Sequence, residues 1–140
     1  MTGGWRGDAT SIGLLILRIG AGGLLLGSHG WSKLTHFGER LHTFANPIGL
    51  GPPASFTLVT FAEVVCAALV VVGFLTRFAT VPIIIFLMVA AFIQHAHDPW
   101  PRRELPLLFM TAFLCVLVAG PGRFSIDALI GARRGRRPPP

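Results

Sequence analysis

Charge is scarce in this 140-residue chain: 13% of the residues are Asp, Glu, Lys or Arg, against 52% hydrophobic. A water-soluble domain carries about 25% charged residues. At half that level, and with a mean hydropathy of +0.66, too little polar side chain remains to coat a surface in water. A soluble enzyme, a disordered segment and a fibrous repeat are excluded. What is left is a small integral membrane protein built as one domain.

Cysteine is sparse too. Cys66 and Cys115 each lie deep in an apolar run, so no disulfide framework is implied. They read as two buried, reduced thiols acting as small apolar side chains. The other reading, a redox pair within the bilayer, needs two helices that abut at matching depth. Catalytic motifs are absent: there is no phosphate-binding glycine loop, no CxxC pair, no nucleophile elbow and no complete catalytic set. The net charge of +6 does not point to nucleic acid, because its distribution is wrong. Arg133, Arg134, Arg136 and Arg137 form a terminal cluster, and most other basic residues flank apolar stretches. A cluster beside a membrane segment is a topology determinant that touches anionic lipid.

Four apolar stretches are present, at about residues 11–31, 53–75, 78–97 and 103–119. Each approaches the about 20 residues that a helix needs to cross about 30 Å of hydrocarbon. They lack strict alternation, so helices are preferred to barrel strands. The fold class expected is all-α: an antiparallel bundle of four transmembrane helices over residues 11–130, preceded by a cytoplasmic N-terminus at 1–10 and followed by a basic, Pro-rich tail at 131–140. Asn46-Pro47 and Gly51-Pro52-Pro53 break the chain before the second helix, and Gly73, Thr76 and Arg77 make a tight turn into the third. Gly20, Gly22, Gly23 and Gly27 lie within the first helix, where small residues allow close helix approach. Arg18 in mid-run is a poor fit to a cleavable signal peptide, so this first stretch reads as a retained helix.

Four spans put both termini on one side. That side carries Arg6, Arg77, Arg123 and the four tail arginines; the other carries Lys33, Arg40, Arg102 and Arg103, diluted by Glu39 and Glu104. The positive-inside rule then places both termini in the cytoplasm, with the chain in the plasma membrane.

Ionisable residues at membrane depth are costly and mark function. Arg18 lies within the first helix and Glu63 near the middle of the second. A long arginine stem bridges their offset in depth, which predicts a buried Arg18–Glu63 ion pair. Such a pair either fixes helix register or anchors a polar ligand head group. Arg18, His29 and Lys33 share a face by their spacing, and Glu104, Thr111 and Cys115 form a stripe on the fourth helix. His29, Lys33, His95, His97 and Glu104 then converge at one depth, as a polar mouth over an apolar interior. Taken singly, each is an interfacial residue with a wet tip. A metal held by His29, His95 and His97 would require the third helix to unwind before Asp98, since residues two apart on a helix diverge; no metal is assigned. A quinone head group is the other reading, with histidine as proton donor or acceptor and Glu63 as a relay.

At the inner side, residues 120–130 read as a turn into a short surface helix. Ser125 is its N-cap, Asp127 stands in its first turn, and Phe124, Ile126, Leu129 and Ile130 dip into the interface. Arg77 either pairs with Asp127 or stays solvated.

Several of these pieces resemble the DoxX family of small four-helix membrane proteins. They are Leu17-Arg18, His29-Gly30-Trp31-Ser32-Lys33-Leu34, Phe61-Ala62-Glu63, Gly73-Phe74-Leu75-Thr76-Arg77, and Gly120-Pro121-Gly122-Arg123-Phe124-Ser125-Ile126-Asp127. They run in order over residues 11–130, with the termini and residues 47–53 outside the match. The resemblance implies a multi-pass membrane protein near redox chemistry, since relatives include a subunit of thiosulfate:quinone oxidoreductase. It does not carry that reaction over, because the enzyme uses a second subunit. The function expected is a redox-associated membrane subunit, part of a quinone-linked oxidoreductase complex if it is enzymatic. It would bind a quinone-like or other small amphipathic molecule near the outer face through Arg18, His29, Lys33, Glu63 and His95. The alternative is a non-catalytic scaffold or assembly factor. Expected partners are the lipid bilayer, a redox partner protein and a second copy of the chain.

Overall fold

The structure is a computed structural model that describes residues 3–134, with side chains from 7 to 133. The end of the basic tail, including Arg136, Arg137 and Pro138–Pro140, lies outside the described residues. Everything described is helix, turn or loop. The first helix, α1, starts at Gly3–Leu17 and continues without interruption to Trp31–Thr35, and its apolar part covers Gly7–Thr35. There follow a single turn α2 (Phe37–Arg40), α3 (Pro52–Val72), α4 (Thr76–Gln94), α5 (Trp100–Ala119) and α6 (Ile126–Arg134). Three of these, α1, α3 and α4, are long and apolar enough to cross a membrane.

The helix ends follow local chemistry. Pro52 and Pro53 occupy the first turn of α3, where a missing N–H costs nothing. Asn46 accepts the Gly51 N–H at 2.9 Å just ahead of it. The chain leaves α3 through Gly73, at φ 75°, a left-handed cap that glycine alone adopts without penalty. Phe74 N–H then closes on the Leu69 carbonyl at 3.0 Å, and the chain re-enters α4 after two more residues. The hairpin is therefore tight and antiparallel.

The four long helices pack in a ring, α1 on α3, α3 on α4, α4 on α5 and α5 back on α1. Leu25, Cys66, Val70, Ile83, Leu87, Phe113 and Val116 fill its centre. The outer faces are unlike those of a soluble bundle: Ile16 and Leu108 are 66% exposed, Phe78 and Val118 78%. Such side chains have lipid as their solvent.

Glycine brings α1 and α3 together, but at positions only partly those expected. Gly22 and Gly30 abut α3, whereas Gly20, Gly23 and Gly27 face nothing within 4 Å. A Cβ on Gly30 would sit 2.6 Å from the Glu63 carbonyl oxygen, which is backbone and cannot yield. Gly30→Val should thus cost about 1–3 kcal/mol by overpacking, and Gly27→Val much less. Thermal unfolding in detergent compares them; equal melting of the two would contradict this contact.

Cysteine placement corrects one expectation. Cys66 is buried, but Cys115 is exposed and both are free. The stripe Glu104, Thr111 and Cys115 faces outward throughout, because the apolar face of α5 that holds Phe113 and Val116 takes the core.

Candidate functional site, a polar cavity beneath a folded-over loop

Four π-helical turns interrupt the described helices, at Arg18–Gly22, Leu25–Gly30, Ala62–Cys66 and Ala90–Gln94. Each contains a polar side chain that the apolar pattern singles out or adjoins: Arg18, His29, Glu63 and Gln94. A π turn fits an extra residue into the helix and is frequent at functional sites. Here it also rotates the remainder of the helix, so that simple helical spacing no longer predicts which side chains share a face.

The outcome is two separate polar clusters. At the end that the charge pattern predicts to face outward, Lys33 Nζ lies 2.5 Å from Glu63 Oε2, with the two side chains 14% and 4% exposed. Glu63 therefore pairs with Lys33, and the expected Arg18–Glu63 pair does not form. The reason is register. Gly30 packs on the backbone of Glu63, which puts Glu63 level with Gly30, less than one turn below Lys33. Arg18 is then about 18 Å away along the axis at 1.5 Å per residue, beyond the reach of any side chain.

Arg18 belongs to the inner end. It is 1% exposed and donates through Nη2 to the Phe124 carbonyl, while Nε and Nη1 have no protein partner. Its guanidinium fills the space that a Cβ on Gly73 would occupy. Beside it, Asp127 accepts from Leu75 N–H at 2.8 Å, Thr76 N–H at 2.9 Å and Thr76 Oγ1 at 2.8 Å. It caps α4 from another helix, satisfying donors that the first turn leaves open. Ser125 caps α6 through Ala128 N–H at 3.1 Å. Burial alone would raise the Asp127 pKa, but the Thr76 and Leu75 donors and the Arg18 charge outweigh it and hold the carboxyl below its usual range. The expected Arg77–Asp127 pair is also absent. Both Asp127 oxygens are taken, and Arg77 instead donates to the Val118 carbonyl at 3.3 Å, at the negative end of α5.

The Lys33–Glu63 pair opens on a cavity of about 450 Å³. His29, Lys33, Glu63 and His95 all line it, and Arg18 does not. The His29 ring meets Phe109 edge-on, with centroids 6.2 Å apart. His95 bonds Asp98 at 2.7 Å, and Asp98 also contacts Arg102 at 3.5 Å; the His95 hydrogen bond is the main cause holding the Asp98 carboxyl below its usual pKa. The third helix does unwind before Asp98, ending at Gln94. Even so, His97 is exposed, and the described residues contain no group of three metal-type ligands. Glu104 is likewise exposed and lies outside the cavity wall.

Several wall residues carried no signal in the sequence. Phe44, Ala45 and Pro47 reach the cavity from the loop after α2. Phe37 and Phe44 pack with tilted rings against fully buried Phe56, at 5.1 and 5.0 Å between ring centroids, and so fold that loop over the mouth. Asn46-Pro47 was legible only as a break. Gln94, Arg102 and Phe109 also belong to the wall, and Arg103 donates to the Ala91 carbonyl of a π turn at 3.3 Å.

The family model for DoxX matches residues 13–96. An uncharacterised protein of Haemophilus influenzae is 27% identical over 132 residues, spanning 89% of this chain and 87% of that protein. No solved structure shows significant similarity.

Proposed function

The chain belongs to the DoxX family, and from that footing we propose that it binds a quinone, or a similarly small amphipathic molecule, in the polar cavity of the bundle. The observation that carries the reading is the buried Lys33–Glu63 pair opening on a cavity with two imidazoles in its wall. A pair at this depth is expensive to bury, and a structural role would not require it to face a cavity. The volume suits a small ring system, with Phe44, Phe86 and Phe109 as apolar walls. Lys33, His29 and His95, all in the cavity wall, would hold the ring by donating to its carbonyl oxygens. Glu63, held by Lys33, can pass protons toward the ring.

A bound quinone supplies a two-electron acceptor whose oxygens take up protons on reduction. The electrons come from a redox partner protein, which makes this chain a membrane subunit of an oxidoreductase system. α5 serves as the fourth span: its 20 residues cover about 30 Å, and Arg102 and Arg103 in its first turn, with Glu104 just after them, stay at the interface. α6 lies along the opposite surface, with Phe124, Ile126 and Leu129 exposed toward lipid. By the positive-inside rule, Arg6, Arg77, Arg123 and the arginines at 133, 134, 136 and 137 favour that end, and both termini, in the cytoplasm of a plasma-membrane protein. The cavity then faces outward.

Quinone carried through detergent purification tests the reading. His29→Ala and His95→Ala should each retain several-fold less than the parent, and Arg18→Lys, outside the cavity, should retain as much per folded molecule. Equal retention in all four proteins would reject the site.

A further inference from the structure

A second cavity, of about 310 Å³, lies beside the first. Phe44, Pro47, Val59, Phe86 and Val89 line both, so the two cavities adjoin across this shared wall. One holds the Lys33–Glu63 pair. The other is apolar almost throughout and runs between α3 and α4. Beyond the shared wall, Leu58, Phe61 and Ile85 are 56%, 48% and 52% exposed. The second cavity therefore opens sideways, through a helix face that only hydrocarbon can cover. Pro82 stands inside α4 at this opening, where it leaves the Phe78 carbonyl without its usual helical hydrogen bond.

We propose that this groove holds the apolar chain of the same ligand whose polar ring occupies the cavity, and that the ligand enters sideways from the bilayer between α3 and α4. The inference rests on the reading above. Adjacency to the polar cavity points to the occupant: a molecule polar at one end and apolar at the other matches a charged cavity and an apolar groove that share Phe44, Pro47, Val59, Phe86 and Val89. The physics also limits what the groove can contribute. A chain that moves from lipid into an apolar groove leaves one hydrocarbon environment for another, so little hydrophobic energy is gained. The gain is orientation, because a seated chain aims the ring at Lys33. Binding should strengthen with the first isoprene units, which fill the groove, and stop strengthening with units that lie outside it.

The test compares a benzoquinone without a side chain and the same ring with two isoprene units, titrated calorimetrically into the full chain in detergent. Ratios between variant and parent cancel the partitioning of each quinone into micelles. The paired substitution Leu58→Trp, Ile85→Trp fills the groove, and Leu108→Trp, on the lipid face of α5, is the control. The expected result is roughly tenfold weaker binding of the prenylated ring by the filled variant, with the bare ring and the control unchanged. Both quinones binding the parent without discrimination by the filled variant overturns the groove while leaving the cavity reading intact. An equal loss of both quinones in the filled variant also overturns it, since the damage then lies in the cavity. Failure of both to bind the parent overturns the cavity reading and the groove together. Native mass spectrometry adds a further arm: a phospholipid released by the filled variant, with quinone binding unaltered, overturns the assigned occupant.

Discussion

Lys33→Met should lower stability by about 3–5 kcal/mol, because it leaves the Glu63 carboxylate buried without a countercharge. Removing both charges should undo most of that loss. The Lys33→Met, Glu63→Gln double variant keeps the volume and strands no ion, and replacing a whole buried pair is often close to neutral. Unfolding in mixed micelles of the parent, the two single variants and the double variant gives the coupling directly. A Lys33→Met protein as stable as the parent would mean that the pair carries no energy. Ligand retention separates structure from function in the same proteins. The double variant should fold yet retain several-fold less quinone, because the Lys33 donor is gone. A purely structural pair would leave retention at the parental level once folding is restored.

The inner cluster should respond even more strongly to Gly73→Val. Gly73 sits at φ 75°, where a residue with a side chain loses about 1–2 kcal/mol. The added Cβ would also overlap the Arg18 guanidinium and approach the Ser125 Cβ to 2.6 Å. Arg18 is 1% exposed and bonded to the Phe124 carbonyl, so displacing its guanidinium breaks that bond and loosens the C-terminal segment from the helix ends it covers. We expect loss of the folded state, read as proteolysis after α5. Asp127→Ala is the milder companion, at about 2–3 kcal/mol for a lost cap with charge-assisted bonds. Its pH dependence has a definite sign. A carboxyl held below its usual value stabilises the fold above the unfolded pKa of about 3.9, and that contribution drains away as pH falls through the lower folded value. The parent should therefore lose more stability than Asp127→Asn on acidification below about pH 4. Parallel acid profiles would remove Asp127 from the cluster.

The five segments that carry the resemblance, four of them within the matched residues 13–96, divide between these two ends. Leu17-Arg18, Gly73–Arg77 and Gly120–Asp127 build the inner latch; His29–Leu34 and Phe61–Glu63 build the cavity. A reading of the sequence can pick out all five segments, and can flag Arg18 and Glu63 as costly. It joins these two to each other because they are the deep charges of opposite sign. What it cannot see is the α1–α3 register, set by Gly30 against the Glu63 backbone, or the two π turns between Arg18 and Lys33 that rotate one relative to the other. The expectation for Cys115 fails for a related reason: an apolar run in a membrane does not distinguish the face toward the core from the face toward lipid.

Composition alone determined the solvent of this protein, and apolar length with Pro and Gly punctuation determined its helices and approximate ends. These are properties of single residues and short windows, and a membrane reads them one at a time. Tertiary structure decided the partners: Lys33 for Glu63, the Phe124 carbonyl for Arg18, the start of α4 for Asp127, and a cavity roofed by a loop with no periodic pattern. Partner choice depends on the relative height and rotation of two helices. Backbone contacts and π turns set both, and neither leaves a trace in hydropathy.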